Sequence, residues 1–63
     1  MQLYRFYLLD QTNHFRGAEL IEAADDAEAS AKAMRLQAEL GVAGFELWDR
    51  GRPVTQMLAQ RQA

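Results

Sequence analysis

The side chain best suited to acid–base work at neutral pH is His14, the only histidine among 63 residues. It follows the polar cluster Asp10-Gln11-Thr12-Asn13. A metal site there needs two or three more ligands of suitable type, and a nucleophile needs a Ser or Thr placed against the ring. Ser30 belongs to a helical stretch and the chain has no cysteine, so the sequence assigns His14 to a solvated turn. Glu19, Glu22, Asp25 and Asp26 form an acidic run without the alternating Asp/Asn spacing and closing Glu of a calcium loop. They read as a solvated face, with Asp25 employed as a helix cap. No apolar pocket is evident that would split two carboxylates into an acid and a base.

Basic chemistry is concentrated at one place. Arg50 and Arg52 flank Gly51, Trp48 precedes them, and Arg5 falls on a strand that can lie alongside. Guanidinium groups beside an aromatic ring suit single-stranded nucleic acid, through phosphate contact and base stacking. The chain as a whole opposes that use, with seven Lys and Arg against nine Asp and Glu and a net charge of −2. Arg5, Arg50 and Arg52 therefore stand as candidate ligand-binding residues of a runner-up reading. Gly41, Gly44 and Gly51 lack the strand–loop–helix frame of a phosphate loop. The sequence names no catalytic residue, cofactor or metal, and the expectation is a non-enzymatic protein.

The elements that must position these residues follow from pattern. Gln2 to Leu9 is rich in aromatic residues and leucine and is closed by the polar cluster, which predicts a first strand and a turn. Phe15 to Ala23 predicts a second strand, weakened in the middle by Gly17 and Ala18. Asp25 as N-cap, with Glu28 three residues on to reach back to the cap N–H, opens a helix from Asp26 to Leu40 that Gly41 ends in a left-handed conformation. Phe45 to Trp48 and Val54 to Met57 predict a second hairpin, its turn a type I turn with a bulge in which Gly51 takes positive φ. Pro53 cannot donate to a ladder and puts the last strand at an edge.

The resulting order is ββαββ, an α+β fold. A right-handed crossover lays the third strand beside the first and gives a four-stranded antiparallel sheet of order 2-1-3-4. Residues 1–58 make one domain, and 59–63, with nothing to bury, make a frayed tail. No stretch approaches the roughly 18 apolar residues that span a bilayer, and Met1 to Arg5 lacks a basic region followed by an apolar one. A cytoplasmic location is the expectation.

With 49 % hydrophobic residues, the chain makes more apolar surface than one helix can cover. The first strand is apolar on both faces, Tyr4, Phe6 and Leu8 on one and Leu3, Arg5, Tyr7 and Leu9 on the other. On the helix, Ala29, Ala33, Leu36 and Leu40 form the stripe assigned to the sheet, while Ala27, Ala31, Met34 and Ala38 lie nearly opposite. Two surfaces remain unpartnered, the helix stripe of Ala27, Ala31 and Met34 and the sheet face of Leu3, Tyr7 and Trp48. Zero cysteine removes disulfides and thiolate metal sites as reinforcement for so small a domain, which points to self-association. The expected partner is a second copy, with another protein also possible.

The aromatic opening Tyr4-Arg5-Phe6-Tyr7, then Gly17-Ala18-Glu19, Ala24-Asp25-Asp26-Ala27-Glu28-Ala29, Phe45-Glu46-Leu47-Trp48 and Arg52-Pro53-Val54 together carry a resemblance. Over Leu3 to Met57 the chain resembles short, Arg- and Ala-rich bacterial proteins grouped as domains of unknown function. The resemblance implies a bacterial cytoplasmic origin and the ββαββ order and assigns no activity to any residue. A looser likeness, at the level of fold, is to small antitoxin-type and regulatory domains that pair with a copy of themselves.

Overall fold

A computed structural model of the protein describes residues 1–59. The chain forms β1 (Gln2–Leu9), β2 (Phe15–Ala23), α1 (Asp26–Leu40), β3 (Gly44–Asp49) and β4 (Arg52–Met57). The four strands make one antiparallel sheet in the order β2-β1-β3-β4, as the crossover argument requires. Helix α1 lies across one face.

Local chemistry sets each boundary. Asp25 is extended at the N-cap and its side chain accepts from the Glu28 N–H at 2.8 Å. Glu28 reaches back to the Ala24 N–H at 2.8 Å, one residue before the cap rather than the cap N–H itself. Gly41 ends α1 at φ 67°, in the left-handed region that glycine adopts without steric cost. Pro53 sits in β4, an edge strand, where its missing N–H disturbs no ladder.

Cross-strand partners share a face, so the register sorts every side chain. Tyr4 lies opposite Ile21, Phe6 opposite Leu47, and Leu8 opposite Phe45, all facing α1. Tyr4, Phe6, Ile21, Ala23, Phe45 and Leu47 join Ala29 and Ala33 in one buried cluster, with Leu36 packed against it. The Phe6 and Phe45 rings stack with centroids 5.0 Å apart. Small alanines at the helix contact let α1 approach the sheet closely. Leu40, expected on the same stripe, is exposed outside this cluster, and Val42, just past the helix, packs there instead.

The β3–β4 turn departs from expectation. Asp49 pairs with Arg52, so the loop holds only Arg50 and Gly51, and the positive φ of 60° falls on Arg50 while Gly51 stays outside the left-handed region. A two-residue hairpin loop demands positive φ at its first position, and the chain supplies arginine there. The bulge exists but is displaced along β4: Leu47 faces Thr55 and Trp48 faces Pro53, which leaves Val54 as the extra residue.

Candidate interaction surface

Three arrangements are candidates for chemistry or binding, and the two polar ones are internally satisfied. In the β1–β2 turn, Asp10 Oδ1 accepts from the N–H of Thr12 at 2.8 Å, the hydroxyl of Thr12 at 2.7 Å and the N–H of His14 at 2.9 Å. Arg16 pairs with its other oxygen at 3.2 Å. The Thr12 hydroxyl and these N–H donors hold the Asp10 carboxyl down to about 2. His14 Nδ1 lies 2.9 Å from Thr12 Oγ1. Because the Thr12 proton is committed to Asp10, His14 is the donor in that contact and does not activate the hydroxyl. The turn is built for shape, with Asn13 at φ 64° inside it.

A second arrangement joins three elements. Arg52 is bidentate on Asp26, both bonds at 3.0 Å, and also donates to Asp49 at 2.9 Å. The buried Tyr4 hydroxyl donates toward Asp26 Oδ1 at 2.9 Å and lies 3.1 Å from Gln2 Oε1. Burial and the adjacent Asp26 push the Tyr4 hydroxyl up to about 12. Arg52 and Tyr4 together lower Asp26, and Asp26 and Asp49 raise Arg52. This clasp fastens the first turn of α1 to β1 and to the β3–β4 hairpin. Sequence reasoning placed Arg52 among ligand candidates and missed the clasp, because its partners are 26 residues apart; the signal was a Tyr hydroxyl on the helix-facing side, which needs a partner when buried.

The third arrangement is the face away from α1. The register places Leu3, Arg5, Tyr7 and Leu9 of β1 there beside Glu22, Leu20, Ala18 and Phe15 of β2 and Trp48, Glu46 and Gly44 of β3. Leu3, Phe15 and Leu20 are 56 %, 61 % and 68 % exposed. Tyr7 and Phe15 pack ring to ring with centroids 4.7 Å apart, and the Trp48 indole N–H donates to Glu46 at 3.0 Å.

One end of this face is closed by the chain itself. Leu9 is only 3 % exposed although it stands outside the helix-side cluster. Its β3 partner is Gly44, and a side chain there would run into the Met57 carbonyl and come within 3.0 Å of the Ala59 nitrogen. The segment after β4 therefore crosses the open face at Gly44, and the Ala59 N–H is fixed by Asn13 Oδ1 at 2.9 Å. The expected frayed tail is thus anchored at Ala59; its remainder, 60–63, lies outside the described residues.

The structure brings Leu3, Arg5, Tyr7 and Trp48 together on the open face. Arg50 joins Leu3, Arg5 and Leu20 in lining a concavity of about 1010 Å³ at its uncovered end. Arg52 is drawn away to Asp26 on the other side. Ala27, Ala31 and Met34 are exposed on the outer side of α1, as their stripe requires. Among the described residues no three His, Asp or Glu side chains converge as metal ligands. No helix among them is long and apolar enough to cross a membrane. Comparison with known family models, curated proteins and solved structures finds no match to this chain.

Proposed function

We propose that the protein is a non-enzymatic interaction module that works as a homodimer through its open sheet face. The observation that carries this reading is the exposure of Leu3, Phe15 and Leu20 on one continuous surface beside Tyr7 and Trp48. Monomers seldom leave contiguous apolar patches beyond a few hundred Å² uncovered. Four strands about 4.8 Å apart, with roughly six residues each at about 3.4 Å, outline on the order of 400 Å² in projection. The segment after β4 takes the Leu9 end out of this area, and the remainder is still of patch size.

A second copy is the occupant that the charges favour. The face carries Arg5 with Glu22 and Glu46, so an identical surface offers a counter-charge for each sign. The outer stripe of α1 is a weaker rival, since alanine side chains contribute little area. Sedimentation equilibrium over micromolar concentrations should show a monomer–dimer equilibrium. Leu20→Asp should shift it to monomer and Met34→Glu should leave it in place. A wild-type chain that remains monomeric at hundreds of micromolar refutes the reading, and a dimer lost only with Met34→Glu transfers the interface to the helix.

A further inference from the structure

We propose that Glu22 of each copy meets Arg50 of the other across the dimer, so that this pair fixes how the two faces are aligned; the inference rests on the homodimer reading above. Arg50 brings an uncompensated positive charge to the open face. Arg16, Lys32 and Arg52 each have a carboxylate within 4 Å, whereas Arg5, Arg35 and Arg50 form no ion pair among the described residues, and of these three Arg5 and Arg50 belong to the open face. Arg50 also holds φ 60°, a conformation that glycine takes without steric cost and arginine does not, while Gly51 beside it leaves that freedom unused.

The acid is as free as the base. Glu22 is exposed on the open face, and only its backbone carbonyl is engaged, by Lys32 Nζ at 2.7 Å. Glu22 lies directly opposite Leu3 in β2. On the other flank the β1–β3 register runs Phe6 to Leu47 and Arg5 to Trp48, so that the place level with Leu3 falls to Arg50, which lines the same concavity as Leu3 and Arg5. Glu22 and Arg50 therefore bracket Leu3 from opposite sides. Turning one copy onto another about a two-fold axis along β1 exchanges the flanks. Each Glu22 then comes over Arg50 of the other chain, while Leu3 and Arg5, which stand in β1 on the axis, meet their own copies. In such an isologous contact one pair is made twice, which doubles its effect on alignment.

A charge-swap complementation tests this without disturbing the fold, since both residues are exposed and circular dichroism should be unchanged. Arg50→Glu alone sets acid against acid, and Glu22→Arg alone sets base against base; each should weaken its own dimer about tenfold. An equimolar mixture of the two variants restores both pairs in a heterodimer and should recover association to within about threefold of wild type. Singles that dimerise like wild type, or a mixture no tighter than its components, overturn the pairing while leaving the homodimer standing. A monomeric wild type overturns both. Salt-dependent binding of a short single-stranded oligonucleotide that Arg50→Glu abolishes, with dimerisation untouched, overturns the pairing in favour of an anion site.

Discussion

The two faces of the sheet are made by the same strands, and only the one beneath α1 is closed. Ile21 and Leu20 are neighbours in β2 with side chains of equal size, yet Ile21 joins the core and Leu20 is 68 % exposed. Alternation sends them to opposite faces, and the single helix covers one. The difference shows that burial in this chain is decided by the supply of cover. On the uncovered side that supply reaches only the Leu9 end, where the segment after β4 crosses Gly44.

The largest effect that would break this asymmetry is expected at Phe6. Phe6→Ala opens a cavity beneath α1 and removes the stack on Phe45, and should cost about 3–5 kcal/mol in urea unfolding. Leu20→Ala, measured at a concentration where the chain is monomeric, should stay within about 0.5 kcal/mol. Comparable losses at the two sites would mean that the open face is closed in the monomer.

A smaller effect separates the two ends of the open face. Gly44→Ala places a methyl group against the backbone of Met57 to Ala59, which has no flexible side chain to move aside, and should cost about 1–3 kcal/mol. Hydrogen exchange at the Ala59 amide should quicken as its bond to Asn13 is lost. Gly51→Ala, with open space around it and φ outside the left-handed region, should change little. Equal responses would show that the crossing segment does not hold the Leu9 end shut.

The smallest effects come from titration. Tyr4 has a folded value near 12 against an ordinary 10.0, so its contribution is complete below about pH 10 and is lost as pH rises toward 12. Asp10 has the opposite sign: held near 2 against 3.8, it contributes above about pH 3.8 and loses that contribution as pH falls toward 2. Asp26 is lowered as well and weakens the clasp in the same acid direction. Thermal melts should therefore fall off at both extremes, and Tyr4→Phe should flatten the alkaline limb and, by removing one of the donors that lower Asp26, also soften the acid limb. An unchanged alkaline limb in that variant would remove Tyr4 as its cause.

Much of the fold was legible because each element announces itself locally. The bounds of β1, β2 and α1 follow from an aromatic run ended by a polar cluster, and from the Asp25–Glu28 cap and Gly41. The sheet order followed from connection length and handedness, which need no side-chain detail. What stayed hidden depends on residues far apart in the chain. The Tyr4–Asp26–Arg52 clasp and the Ala59–Asn13 bond are long-range pairings with no periodic trace. Gly44 carries no local signal beyond preceding a strand, and its reason for being glycine is a neighbouring backbone thirteen or more residues away. At the hairpin tip, glycine drew the eye to residue 51, whereas loop length put the left-handed conformation on Arg50. Among site residues, Leu3, Tyr7 and Trp48 were readable from alternation, while the separation of Arg52 from Arg5 and Arg50 was not.

The chain has a single tryptophan, and it stands on the open face next to Arg5, half-buried and bonded to Glu46. Its indole emission therefore samples the one surface whose occupancy is in question, free of background from a second fluorophore of its kind. Dilution alone, followed by the wavelength of that emission, reports whether the ring passes from a dry contact into water, with no dye attached and no residue altered.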